Sequence, residues 1–344
     1  MADSNQSVPA PLTLSMPEIL KKLETAEPIP FLWSGIKKNS YGFIFGPSKS
    51  GKTTLAENLG LSIVLKRPSY LDMPIQQGDY KVLFISLEEF WQPRTERNAM
   101  QMKACVNTEL ELLKNYAVVS ELFPRYIDSS ESWKLLDKTI RENGANIVII
   151  DSLSRLYTGD IESSDTAQTV SKKLREMSNR NKITLIIIHH TPKIAGRPIT
   201  IDSLAGSRVL AQEADFMIGV SKTYDGNRYM KEVAFRYKQE NENVLLLKLN
   251  QNLWFEPNSW INEQKLLCQA DGRIDSTNRN SIYEYIVDNT LTNNEVDANN
   301  LFSHFSSTIK KSTFYDCLKS LQRDNLIIRP SKGKIAVVKN SVQE

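Results

Sequence analysis

The sequence predicts an α/β fold: a mainly parallel sheet flanked by helices, with an antiparallel hairpin at its edge, followed by a small C-terminal winged helix-turn-helix unit. Three observations carry that expectation. Short apolar runs at 43–45, 82–85, 147–150, 184–188 and 216–220 alternate with longer segments of helical spacing. A strand that is apolar at every position is buried on both faces, as it must be in a parallel sheet between two helix layers. After Val220 the rhythm changes to 233–237 and 244–249 around a polar stretch at 239–243, which predicts the hairpin. From Ser281 the spacing predicts helices over 282–288, 299–305 and 312–324, with Ser312 as N-cap, then strands over 326–329 and 334–338 around Pro330 and Gly333.

The chain therefore divides into an N-terminal arm (1–35), an α/β domain (36–256), a polar linker (257–279) and the winged-helix domain (280–344). The arm holds a short amphipathic helix over 16–23, its start marked by Ser15 and Pro17. With 40% apolar and 24% charged residues, the composition is that of a chain able to bury a core. The apolar runs fall far short of the roughly 20 residues a membrane span needs, and 1–12 lacks the layout of a secretory signal, so no membrane and a cytoplasmic location are expected. Cys105, Cys268 and Cys317 are widely spaced without a Cys-x-x-Cys pair, which points to structural thiols rather than a zinc site or a disulfide framework. The net charge is only +3, but 310–339 carries eight basic residues against two acidic ones, so positive charge gathers at one end.

The strongest chemical signal is Gly46, Pro47, Ser48, Lys49, Ser50, Gly51, Lys52 and Thr53, which fits G-x-x-x-x-G-K-[ST] after an apolar strand and before a helix over 54–65 that begins at Thr54. Glycines let the backbone bend and bring its N–H groups to phosphate oxygens, Lys52 adds a point charge, and the Thr53 hydroxyl is a ligand for Mg²⁺. The helix N-terminus adds partial positive charge. ATP with Mg²⁺ is the cofactor chemistry this predicts.

Phosphoryl transfer also needs a carboxylate to organise the metal and a group to orient water. Asp151 directly follows the strand at 147–150 and is expected to fill the first role. Glu88, just past the strand at 82–85, is expected to polarise the water, with Glu89 the alternative. His189 and His190 end the next strand at the edge where open α/β sheets bind ligands, and a ring N–H there can report on a terminal phosphate. Metal binding by the pair is disfavoured because adjacent strand residues face opposite ways.

The ordered set of Gly46 to Thr53, Ile85-Ser86-Leu87-Glu88, Ile149-Ile150-Asp151-Ser152-Leu153-Ser154-Arg155, Gly159-Asp160 and His189-His190-Thr191-Pro192-Lys193 resembles the RepA-type hexameric helicases of plasmids, a branch of the RecA and DnaB superfamily. Gly206-Ser207, Ala214-Asp215 and Leu253-Trp254-Phe255 are similar to that branch as well. The resemblance implies a RecA-like domain, Glu88 as catalytic base, Asp151 as the Mg²⁺-water ligand and His190 as the γ-phosphate sensor. It further implies a homo-hexamer or other ring in which Arg236 or Lys238 reaches the neighbouring subunit's nucleotide. The order Arg-x-Lys reverses the Lys-x-Arg of DnaB-like proteins, so which of the two acts stays open.

DNA contact in such rings comes from loops facing the channel, here 157–165, which is acidic, and 192–207, with Lys193 and Arg197 for phosphates and Gly196 and Gly206 for mobility. In the winged-helix domain Lys310, Lys311, Lys319 and Arg323 suit phosphates and the wing adds Lys332 and Lys334, whereas Phe314, Leu318 and Leu321 keep the spacing of a core face. Winged helices bind either DNA or protein. The leading expectation is an ATP-driven motor on single-stranded DNA serving a plasmid or mobile element. The alternative is a regulatory ATPase, like KaiC-like and RadA-like proteins, whose nucleotide state controls assembly or DNA binding without unwinding.

Overall fold

A computed structural model of the chain describes residues 12–338, except 104, 162, 193, 195–196, 205–207, 271–275 and 294. The first element is α1 (Met16–Glu24), none of whose residues is buried. Its start is closed by Ser15 and Glu18: the Ser15 N–H donates to Glu18 Oε2 at 2.7 Å and the two side chains meet at 2.6 Å, the reciprocal arrangement of a capping box.

Among the described residues the main sheet has nine strands: β1 (Tyr41–Pro47), β2 (Val82–Ser86), β3 (Tyr116–Val118), β4 (Ile147–Asp151), β5 (Thr184–Thr191), β6 (Phe216–Lys222), β7 (Arg228–Phe235), β8 (Asn243–Leu249) and β9 (Phe255–Asn262). Their order is β9-β8-β7-β6-β1-β5-β4-β2-β3. From β6 to β3 all neighbours are parallel, and β6 to β9 form an antiparallel run. This is the mainly parallel, helix-flanked sheet with an antiparallel edge that the apolar runs predict, in a RecA-like P-loop fold.

The strands are apolar throughout because both faces are covered. On one face Phe43, Phe45, Ile85, Ile150 and Ile187 pack with Leu136 and Ile140 of α4 (Ser130–Asn143) and with Val170 and Leu174 of α5 (Ser164–Asn181). On the other, Ile44, Phe84, Ile149 and Ile188 meet Leu55, Leu59 and Ile63 of α2 (Lys52–Val64). Burying each such side chain contributes about 2 kcal/mol against its exposed state. Local signals fix the helix ends. Ser129 Oγ accepts from Ser132 N at 3.1 Å, Ser163 Oγ from Thr166 N at 3.3 Å, and Gly144 ends α4 with φ of 70°. Between β2 and β3 lies α3 (Trp91–Met102).

Three expectations are corrected. The linker at 257–279 contains β9, paired with β8 along the sheet edge, then α6 (Glu263–Ala270), whose Leu266 and Leu267 are buried, and the start of α7 (Ser276–Asn293). Pro257 reads as a strand breaker, but β9 is an edge strand and a proline there costs no ladder bond that must be made. Second, the hairpin strand expected at 233–237 is the end of β7, which begins at Arg228 and pairs with β6 as well as β8. Arg236 and Lys238 therefore lie beyond the strand, in the bends leading to β8. Third, α9 (Lys311–Arg323) starts with Lys310 in the capping position, so Ser312 sits inside the first turn and caps nothing.

The C-terminal unit follows the order α7, β10 (Val296–Asp297), α8 (Ala298–Phe305), α9, β11 (Ile327–Ile328) and β12 (Lys334–Val337), its strands ordered β10-β12-β11. Ile282, Ile286, Leu301, Phe314, Leu318, Leu321 and Ile335 are fully buried in its core. Arg279, only 2% exposed, donates to Asp324 at 2.6 Å and ties α7 to the end of α9.

Candidate functional site

Parallel register brings the motif residues together at the carboxyl ends of the strands. Gly46 is opposite His190, Asp151 opposite Ile188 and Ser86 opposite Asp151, so the ends of β1, β5, β4 and β2 form one shelf. The loop from Gly46 to Thr53 leaves β1 there and turns into α2. Gly46 has φ of 151° and a Cβ on it would stand 1.9 Å from the Val220 carbonyl oxygen of β6; Gly51 has φ of 106° and would put one 2.7 Å from the Phe255 ring. Glycine is required at both points. Ser48 and Lys49 are exposed at the loop's outer side, Pro47 and Thr54 are half-buried, and Ser50 is buried with a hydroxyl that has no partner.

Lys52 is 3% exposed and its Nζ donates to the Gly46 carbonyl at 2.9 Å and the Pro47 carbonyl at 2.7 Å. Burial lowers its pKa to about 8, opposed by Asp151 and Glu88. An anion beside it would restore its full charge. The Thr53 hydroxyl donates to Asp151 Oδ2 at 2.7 Å. Asp151 is 6% exposed, and burial raises its pKa to about 6, against the Thr53 hydrogen bond. These features fit a magnesium nucleotide: an orphaned buried hydroxyl, a desolvated ammonium on loop carbonyls, and a hydroxyl and carboxylate aimed at each other are the donor set such an ion takes.

Glu88 stands beside them. Its Oε1 accepts from Ser152 Oγ and, at 2.9 Å, from Ser154 Oγ, and its Oε2 lies 3.2 Å from His190 Nε2. The His190 hydrogen bond leads the effects that hold its pKa down to about 2. Glu88, Asp151 and His190 each offer a ligand atom within 4.8 Å of the others. His189 points away, 4% exposed and 6.4 Å from the Phe43 ring, so the two histidines do not share a site. Glu89 is turned elsewhere: Arg97 of α3 donates to both its oxygens at 2.9 and 2.6 Å and, at 2.8 Å each, to both oxygens of Glu57 in α2. That engagement occupies both Glu89 oxygens.

Arg236 and Lys238 lie at the other end of the sheet, where β6 begins. Arg236 Nε is 3.2 Å from Asp215, and Lys238 Nζ donates to Glu232 at 2.8 and 2.9 Å. Neither reaches the P-loop of its own chain. Lys193 falls outside the described residues, as do Gly196 and Gly206. Arg197 is exposed and shares a cleft of about 1070 Å³ with Lys231, Glu242, Glu263, Arg323 and Asp324, a lining of mixed sign. Lys310, Lys311, Lys319, Arg323 and Lys332 are exposed on the C-terminal unit and Lys334 is half-buried; Lys319 pairs with Asp316, Arg323 with Asp324 and Lys334 with Glu295.

Sequence reasoning missed Arg97 and Glu57, the two serines on Glu88, and the cations that end β6 and begin β7. The one signal for the first was Glu57-Asn58 inside an otherwise apolar helix. No helix among the described residues is long and apolar enough to cross a membrane.

No curated protein aligns with the chain as a relative. The family model for the AAA domain matches residues 17–196, more than half of the chain, taking in the P-loop, Glu88, Asp151 and His190 and ending before β6. With that match over the phosphate-binding loop and its converging carboxylates, the chain belongs to the AAA domain family of P-loop ATPases.

Proposed function

We propose that the chain is a magnesium-dependent ATP hydrolase acting as a ring-forming motor on single-stranded DNA, of the RepA type. The observation that carries the hydrolase reading is the convergence of Thr53, Asp151, Glu88 and His190 beside the P-loop. Loop N–H groups and Lys52 hold the phosphates, with the ammonium exchanging the carbonyls of Gly46 and Pro47 for phosphate oxygens. Magnesium, when bound, would sit with Thr53 and Asp151 and offset charge on the transferring phosphoryl group. Glu88 orients the attacking water. Its carboxyl is held too acidic to abstract a proton early, but a loose phosphoryl-transfer transition state asks mainly for a fixed acceptor, which Ser152, Ser154 and His190 supply by locking the side chain. His190 already touches Glu88, so a terminal phosphate that draws off its ring N–H would free the carboxylate for water.

The ring reading is supported by the position of Arg236 and Lys238: they lie at the sheet end remote from their own P-loop, so a nucleotide they served would be a neighbouring subunit's. The DNA reading is supported by the exposed cations of the C-terminal unit, which we read as a winged helix, and by Arg197. The lining of the cleft around Arg197 is of mixed sign, which favours phosphate contacts outside it. Measuring ATP turnover with and without single-stranded DNA tests the motor: a many-fold rise is expected, together with rings in particle images of the nucleotide-bound protein. Monomeric particles and DNA-indifferent turnover would refute it.

A further inference from the structure

On the flank of the P-loop away from Asp151 three cations gather, and the acid of the adjoining turn, Asp225, is engaged by the Thr223 hydroxyl and the Asn227 side-chain amide. β6 runs beside β1 and ends at Lys222; β7 starts at Arg228, its partner across the turn. A Cβ on Gly51 would stand 3.5 Å from the Arg228 Cδ, so this side chain lies against the P-loop itself. The Arg228 Nε is buried and makes no hydrogen bond. Lys49 projects from the loop with φ of 62°. Burial first, then repulsion from Arg228 and Lys49, lowers the Lys222 pKa. Among the described residues, none of the three forms an ion pair. Like charges crowded together and partly dried are costly unless an anion lies between them.

Sheet order decides which anion. Asp151 on β4, Glu88 after β2 and His190 on β5 all lie on one side of β1, while β6 and β7 lie on the other. A triphosphate laid along Gly46 to Thr53 with its γ end toward the first group leaves its inner phosphates beside the second. We propose that Lys49, Lys222 and Arg228 form a second cationic wall of the nucleotide site, binding the α- and β-phosphates that ATP and ADP share. The wall rests on the P-loop reading given above and extends it from Lys49 of the loop to Lys222 and Arg228 outside the motif. Charge gathers on the β-phosphate as its bond to the γ-phosphoryl group breaks, but oxygens that ATP and ADP share are contacted in the ground state, the transition state and the product alike, so the wall acts chiefly on KM and product affinity.

The test uses the full chain, with ADP binding followed by calorimetry and ATP turnover by steady-state kinetics, in Lys222→Gln and Arg228→Gln. In each, the ADP Kd and the ATP KM are expected to rise together by about tenfold, the loss of one charge-assisted contact, with kcat kept within about twofold. The salt dependence of ADP binding should also flatten, since fewer charges meet the ligand. Lys222 is half-buried and Lys49 exposed, so if Arg228→Gln fails to fold, Lys222→Gln and Lys49→Gln carry the test. Unchanged ADP Kd and KM would overturn the proposal. So would a fall in kcat at unchanged ADP affinity, which would put the cations at the γ end. A wild-type chain that takes up no ADP would instead sink the P-loop reading; wild-type binding with indifferent variants sinks the wall alone.

Discussion

The Thr53 hydroxyl donates a 2.7 Å hydrogen bond to Asp151 across 98 residues of chain. It joins the first turn of α2 to the end of β4, and it sets two magnesium-type ligands side by side before any ion arrives. Asp151→Asn keeps an acceptor for Thr53 but removes the charge. Turnover is expected to fall about 100-fold or more, as several kcal/mol of metal-borne charge stabilisation is lost, and the Mg²⁺ concentration for half-maximal activity should rise. Chelation by EDTA should stop the wild type. Identical Mg²⁺ titrations for variant and wild type would contradict this assignment.

Glu88 is fixed through both oxygens, by the two serines on one side and His190 on the other. Glu88→Gln retains the shape and loses the charge. It should bind ATP and hydrolyse it about 10² to 10⁴ times more slowly, seen as ATP that stays intact on the protein. The pKa of about 2 means that Glu88 remains ionised as pH falls through the ordinary glutamate value near 4.3. An acid limb of kcat centred on that ordinary value would contradict the environment described for it.

How much of this was legible in the sequence follows from how local each signal is. The P-loop is local: eight consecutive residues carry its whole chemistry, and an apolar strand ending in an acid gives Asp151. Five of the six parallel strands are legible because burial on both faces leaves each with a continuous apolar run, whereas β3, three residues long and only partly buried at the sheet edge, gives no such signal. β9 is not, since an edge strand tolerates Pro257 and exposed polar residues that read as linker. Nor is the Glu57–Arg97–Glu89 bridge, because its partners lie on α2, α3 and the segment between them and meet only after β2 and β1 share a sheet. Lys222 and Arg228 are separated by a turn, and the approach of Arg228 to Gly51 depends on which strand neighbours β1, which periodicity does not encode.

Glu57 is fully buried, and Arg97 contacts both its oxygens, with Arg94 Nε at 3.6 Å from one of them. Breaking the pair from the Arg97 side leaves the buried Glu57 carboxylate with the longer Arg94 contact and the Gln101 amide at 3.3 Å, poorer partners than the guanidinium that bridges both its oxygens. Arg97→Ala should therefore destabilise the chain by about 3 kcal/mol, measured by urea denaturation, whereas Glu89→Gln, whose side chain is one-third exposed, should cost far less. Equal losses from the two substitutions would mean that the bridge to Glu57 carries no special weight.

Tyr41, Tyr70, Tyr116 and Tyr229 are each held above the ordinary phenol pKa, chiefly by burial, Tyr41 to about 12 and the others in the same direction. A folded-state pKa above the unfolded one gives stability that is whole below about pH 10 and lost as pH climbs through the folded values. Each buried phenol then removes about 1.4 kcal/mol per pH unit above 10. The chain should unfold cooperatively between pH 10 and 12, with tyrosinate absorbance and loss of helical circular dichroism rising together. Ionisation of all twelve tyrosines near pH 10 with the fold intact would disprove the burial.

In the proposed ring, Arg236 and Lys238 would differ in what each leaves behind on reaching toward a neighbouring subunit. Asp215 keeps Arg175, which donates to it at 2.6 and 3.1 Å, and the Tyr41 N–H at 3.0 Å, so Arg236, 47% exposed, can depart at little cost. Glu232 is 1% exposed, and Lys238 is the cation paired with it among the described residues; its other partners are the Ser34 hydroxyl and the Asn241 N–H. Withdrawing Lys238 would strand a buried carboxylate, a penalty of several kcal/mol. Arg236 is therefore the residue expected to act in trans. Arg236→Ala should leave folding and ATP binding near wild type and lower turnover by about 10³-fold or more, whereas Lys238→Ala should lower the melting temperature first. Mixing Arg236→Ala with Lys52→Ala subunits should recover part of the activity, because some interfaces then pair an intact P-loop with an intact arginine. No recovery on mixing, with rings formed by both variants, would show that Arg236 does not act across the interface.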